Sequence, residues 1–220
     1  MMNRALSLPS PLLAGFFMSV VLVLAACGGG GGDAPKPAQI GVDIYGDSIM
    51  TAPGIATPPP AAVRLLRPGW VINNHALAGS TLQQTLQGFA GQPRTGRYVV
   101  FEHGGNDALE LRTPAEFEAD LREAIRVVRA EGRVPVLTGI VDLPGDPVYF
   151  MGPVRIRMAE LNAVTLRVAA GLGLQHAGWR EDYRGPGDVI ADQIHRTQEA
   201  SDRLAALVVA AIERAAAGGN

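Results

Sequence analysis

The chain has 220 residues, carries 19 Lys and Arg against 21 Asp and Glu for a formal net charge of −2, and is 47% hydrophobic. Such a chain can bury one full core, which excludes intrinsic disorder, and its even, unclustered charge gives no basis for a nucleic-acid stripe or an acidic tail. A single cysteine, Cys27, excludes an internal disulfide.

The first residues read as a targeting segment. Arg4 sits in a short polar head, and an apolar run follows from Leu12 to Ala26. That run is shorter than the ~20 residues a spanning helix requires, so a secretory signal is the expectation. Its exit, Leu24-Ala25-Ala26-Cys27-Gly28, resembles the lipobox of bacterial lipoproteins. The resemblance implies that Cys27 is lipidated and becomes the first residue of the mature protein. It also implies export to a bacterial cell envelope, with the domain anchored to a membrane and facing the periplasm or the cell surface. Three segments result: residues 1–27 as signal and lipobox, 28–38 as a Gly/Pro-rich tether, and 39–220 as the domain.

From Gln39 onward, strand-like and helix-like segments alternate. Ile40 to Tyr45, Val71 to Asn74, Tyr98 to Glu102 and Val134 to Val141 read as strands, with a short one at Leu174 to His176. Helices are expected over Pro60 to Leu66, Pro153 to Ala170 and Gln198 to Ala216. The clearest helix follows Thr113, where Pro114 and Glu116 supply a first-turn proline and a capping-box acid ahead of Phe117, Leu121, Ile125 and Val128 on one face. Alternation of this kind predicts an α/β fold, a parallel sheet covered by helices on both faces. Chemistry in such sheets sits at the carboxyl ends of the strands.

The candidate residues fall at those ends. The first strand ends in Gly46-Asp47-Ser48, and Gly79-Ser80-Thr81 follows the second. The third ends in Glu102-His103-Gly104-Gly105-Asn106-Asp107, and Asp192-Gln193-Ile194-His195 precedes the last helix. Each piece has an ordinary alternative: Gly-Asp-Ser is often a turn, Gly79 a turn glycine, Asn106 a helix cap, and Asp192 with His195 a surface pair. A serine hydroxyl, however, becomes a nucleophile only with a base such as His195, and a carboxylate such as Asp192 fixes that imidazole's tautomer. Asp47 and Asp107 read as supports for loop backbones; His75, His103 and His176 read as packed or surface histidines, with His103 near enough to the glycines to touch a pocket.

Gly-Asp-Ser at Gly46 to Ser48, Gly79, Gly-x-Asn-Asp at Gly104 to Asp107 and Asp-x-x-His at Asp192 to His195, in this order, resemble the SGNH or GDSL hydrolase superfamily. The resemblance covers the whole domain from about Gln39. It implies a flavodoxin-like three-layer α/β/α sandwich with a central parallel sheet of about five strands. It further implies a serine ester hydrolase with a Ser48, His195 and Asp192 triad and an oxyanion hole from Ser48, Gly79 and Asn106, needing no cofactor. The wording Gly-Gly-Asn-Asp-Ala-Leu at Gly104 to Leu109 looks most like the thioesterase and lysophospholipase branch. One departure is Arg196-Thr197 after His195, where the family often has Pro-Asn.

Leu109, Leu111, Leu143 and the Pro144 to Met151 segment, including Phe150, are candidates for the walls of an acyl pocket, since they follow strand ends and carry large side chains. The expected partner is an ester of a small molecule, lipid or polysaccharide, besides the membrane reached through the anchor. No G-x-S-x-G elbow, paired-His metal motif, G-x-G-x-x-G or P-loop is present, which weighs against an α/β-hydrolase, a metallophosphoesterase and a nucleotide-binding protein. The alternatives kept are a polysaccharide O-deacetylase of the same fold and a non-catalytic lipid- or carbohydrate-binding lipoprotein.

Overall fold

The computed structural model describes residues 39–144 and 152–218. The expected signal, Cys27, the tether and Phe150 lie outside the described residues. Five strands form one sheet: β1 Gly41–Gly46, β2 Val71–Asn74, β3 Tyr98–Glu102, β4 Val134–Leu137 and β5 Gln175–His176. They run parallel in the order β2-β1-β3-β4-β5.

A parallel sheet buried on both faces needs apolar residues at successive positions, since these point to opposite sides. Val42, Ile44, Val100 and Val136 face one core with Val63, Leu204, Val208 and Ile212. Those partners belong to α2, Pro59–Leu66, and α7, Gln198–Ala217. Tyr45, Val99, Phe101 and Leu137 face the other core with Phe117, Ile125, Leu161 and Val168. These come from α5, Pro114–Ala130, and α6, Gly152–Leu172. The expected three layers are present. Three short helices, α1 Ser48–Thr51, α3 Leu82–Leu86 and α4 Gly105–Leu109, sit directly after β1, in the connection after β2 and directly after β3.

The α5 start is built as its sequence requires: the Thr113 hydroxyl accepts the Glu116 N–H, and the Glu116 carboxylate accepts the Thr113 N–H at 2.8 Å. The fourth strand departs from expectation. It stops at Leu137 and does not continue to Val141, because Gly139 takes a left-handed conformation with φ +82°. A Cβ at Gly139 would stand 2.5 Å from His176 Nε2. Breaking the strand there releases Ile140 and Val141 from the sheet.

Gly104 links the end of β3 to this turn. Its φ is +127°, and a Cβ there would run into the Ile140 side chain. Gly104→Ala combines a conformation hostile to L side chains with overpacking, so a loss of about 2–4 kcal/mol in urea unfolding is expected.

Candidate active site

The strand order reverses between β1 and β3. The chain leaves β1 for β2 on one side and returns to β3 on the other. Gly46 and Glu102, the last residues of β1 and β3, are register partners, so the loops that follow them open together at the switch point.

Asp47 makes the first turn. Its side chain accepts the Ile49 N–H at 2.9 Å and caps α1, whose first residue is the half-buried Ser48. The loop after β2 hangs on the same turn: the Gly46 carbonyl accepts the Leu77 N–H at 2.9 Å and the Ser80 hydroxyl at 3.4 Å. Gly79 lies in this loop at φ +80°. Open space surrounds the position of its missing Cβ, so backbone conformation alone favours glycine there.

On the β3 side, the Asn106 side-chain amide donates to Asp47 Oδ2 at 3.1 Å and to the Ser80 carbonyl at 3.0 Å. One amide thus ties three loops together. Asp107 is fully buried and accepts the Leu82 N–H through both oxygens at 3.2 and 3.1 Å. Burial pushes its carboxyl up to about 6, against the pull of the Leu82 N–H and the Arg112 guanidinium.

The third piece arrives from the far end of the chain. Asp192 Oδ1 accepts the N–H groups of Ile194 and His195, each at 2.9 Å, and Oδ2 meets His195 Nδ1 at 2.6 Å. Burial opposes ionisation of Asp192, but the His195 ring and the two backbone donors outweigh it and hold the carboxyl below its ordinary value. The turn is tight, with Gln193 at φ +64°. The opposite ring nitrogen, His195 Nε2, is buried and has no hydrogen-bond partner among the described residues.

The Arg196 departure has a structural role. Arg196 is 4% exposed, its guanidinium donates to the Asp142 carbonyl, and it lies 5.3 Å from the centre of the Tyr183 ring. It fastens the His195 loop to the segment after β4.

Ser48, Asn106 and His195 line one cleft of about 160 Å³. Its walls are mainly apolar, formed by Leu109, Ile140, Val141, Leu143, Met158 and Ile194. Ser48 and His195 share this space, although Nε2 does not close a hydrogen bond to the serine. Leu109 and Leu143 stand where the sequence suggested, whereas Leu111 is 52% exposed and outside the lining. Gly79 and His103 are also outside it. His103 is buried, bonded through Nε2 to the Thr85 hydroxyl at 2.8 Å, and burial lowers its imidazole to about 3.

Sequence reasoning missed Ile140, Val141, Met158, Ile194 and Glu102, all in the lining. Gly139 was the available signal for the first two, as a turn residue inside an apolar run. Ile194 lies inside the Asp-x-x-His motif and was legible there. Met158 and Glu102 carry no such mark. Among the described residues, no group of three or more His, Cys, Asp or Glu is placed to hold a metal ion.

Comparison with known proteins agrees with this fold. The model of the GDSL-like Lipase/Acylhydrolase family matches residues 44–203. The crystal structure of TesA shares 26% identity with this chain, covering 79% of it and 98% of TesA, with a TM-score of 0.64. The lipase/acylhydrolase from Enterococcus faecalis, 22% identical over 78% of this chain and 94% of its own, has a TM-score of 0.67. Axe2, an acetylxylan esterase from Geobacillus stearothermophilus, is 18% identical over 79% and 94%, with a TM-score of 0.62. These last two likenesses speak for the fold. Among curated proteins, none matches the sequence.

Removing the Arg196 clamp leaves the Asp142 carbonyl unmatched and a gap beside Tyr183. Arg196→Ala is expected to lower stability in urea unfolding by about 1–3 kcal/mol.

Proposed function

The chain belongs to the GDSL-like lipase/acylhydrolase family, and on that premise we propose that it is a serine ester hydrolase with Ser48 as nucleophile, His195 as general base and Asp192 as the group that orients His195. One observation carries this reading: His195 is clamped through Nδ1 to Asp192, while its buried Nε2 stands unpaired in the cleft that Ser48 lines. A buried ring nitrogen without a partner is costly unless a substrate-bound state completes it.

In the proposed reaction, Nε2 takes the Ser48 proton as Oγ bonds to the ester carbonyl carbon. The tetrahedral oxyanion is met by donors drawn from the Ser48 and Gly79 N–H groups and the Asn106 amide. For Asn106 this means turning one N–H away from the Ser80 carbonyl that it now engages. The imidazolium then gives its proton to the departing alcohol as the ester C–O bond breaks, and water repeats the sequence on the acyl-enzyme to release the acid.

The apolar walls suit the acyl side of the substrate. A ~150 Å³ cavity lined by Leu, Ile and Phe holds benzene, so a cleft of about 160 Å³ accommodates a short to medium acyl chain or a ring. Carboxylic esters with such a chain, including thioesters and lysophospholipid esters, are the proposed substrates. Export and anchoring through Cys27 complete the proposal, supported by the apolar run to Ala26 and by Cys27 being the sole cysteine.

With p-nitrophenyl esters and no added metal, Ser48→Ala is expected to abolish turnover and fluorophosphonate labelling. Asn106→Ala should lower kcat about 10²–10³-fold and Asp192→Asn about 10⁴-fold. A folded wild type that shows neither turnover nor labelling would move a ligand-binding lipoprotein to first place. Met158→Ala should shift the preferred acyl chain upward, and an unchanged preference would remove Met158 from the acyl site. Expressed in bacteria fed labelled fatty acid, the full chain should take up label that Cys27→Ser does not.

A further inference from the structure

Beneath Ser48 lie three carboxyl groups with no part in the proposed proton transfers. Asp47, Glu102 and Asp107 are 2%, 2% and 0% exposed. Asp107 is matched by the Leu82 N–H and by Arg112, whose Nε lies 3.6 Å away. Asp47 accepts from the Ile49 N–H and the Asn106 amide. Glu102, at the end of β3, accepts the Asp47 N–H through Oε2 at 3.0 Å, so two buried carboxyl groups belong to one turn. Two neighbouring carboxyl groups this deeply buried are costly to ionise together, so one of them keeps its proton.

The surroundings give that pair little positive charge. Among the described residues no cation forms an ion pair with Asp47 or Glu102. Arg112 is engaged with Asp107 and Asp120. His195 faces Asp47 from across the cleft, and His103, next to Glu102 in the chain, is buried and bonded to Thr85. Asp107 adds a like charge. Room for the acid comes from the glycine of Gly-Asp-Ser, since a Cβ on Gly46 would stand 2.7 Å from Glu102 Oε2.

We propose that Glu102 is a positioning residue that works as a neutral carboxylic acid, so that the buried Asp47–Glu102 pair under Ser48 carries one negative charge and not two. The functional half rests on the acyl-transfer reading above. An oxyanion forming beside Asn106 is opposed by every extra negative charge nearby, so ionisation of Glu102 would slow the reaction while also straining the turn that presents Ser48. Burial first, and the Asp47 charge second, push the Glu102 carboxyl well above its ordinary range, and burial raises Asp47 to about 6.

The sign of the pH effect follows. A carboxyl that keeps its proton longer in the folded chain than in the unfolded one destabilises the fold as pH rises from the unfolded value through the folded one. Glu102→Gln keeps the shape and a donor but cannot ionise. It should therefore gain stability over wild type progressively from pH 5 to pH 9 in urea unfolding. The alkaline fall in its kcat should move to higher pH than in wild type. Infrared difference spectra of the wild type at pH 8 should show a protonated carboxyl stretch that Glu102→Gln lacks. The proposal is overturned if that band is absent or if the stability difference is flat with pH. The stability and infrared arms need no turnover, so they remain decisive if the esterase reading itself fails.

Discussion

The parallel pairing of β1 with β3 is the constraint on which the site depends. Because Gly46 and Glu102 end their strands in register, the two loops that leave the sheet there have nowhere to go but up and alongside each other. Ser48 follows one strand end and Asn106 the other. The Asp47 side chain then serves both, as cap of α1 and as acceptor for Asn106. The loop after β2 joins through the Gly46 carbonyl. A single turn thus fixes three backbones, and the cleft above it inherits the rigidity of the central sheet.

Much of this was legible in the sequence because it is written in backbone terms. A glycine where φ is positive, an aspartate that caps a turn, and a Thr-x-x-Glu box before a helix are local devices that act through neighbours in the chain. Gly79, Asp47 and Thr113 all act in this way. The walls of the cleft were harder to read. Val134 to Val141 is apolar almost throughout, and only Gly139 shows that half of it belongs to the sheet and the rest to the cleft. Met158 enters from α6 because two helices pack at a particular rotation, which no local pattern records. Glu102 looked like the polar end of a strand, and its burial becomes evident only when the Asp47 turn closes over it.

The loop that carries His195 shows how a departure from family habit can be absorbed. The family often has a proline after the histidine, which stiffens the backbone. Arg196 obtains a comparable result by reaching outward, since its guanidinium bridges to the segment after β4. The same cation ties the loop holding the proposed base to Val141 and Leu143, which flank Asp142 and form part of the apolar wall. The His195 loop and the apolar wall are therefore mechanically joined, although they come from distant parts of the sequence.

The packing of α2 against α7, with the Thr57 backbone bonded to the Gln198 side chain, brings the two ends of the domain together. Ser48 is made early and His195 late, and between them the chain must cross the sheet from one edge to the other. A ribosome therefore extrudes Ser48 long before its proposed base exists. On the proposed assignment, until the last helix closes on the first long one Ser48 is an ordinary alcohol, and its reactivity becomes a property of the finished chain. On the proposed reading, a hydrolase organised in this order carries its own safety catch through synthesis.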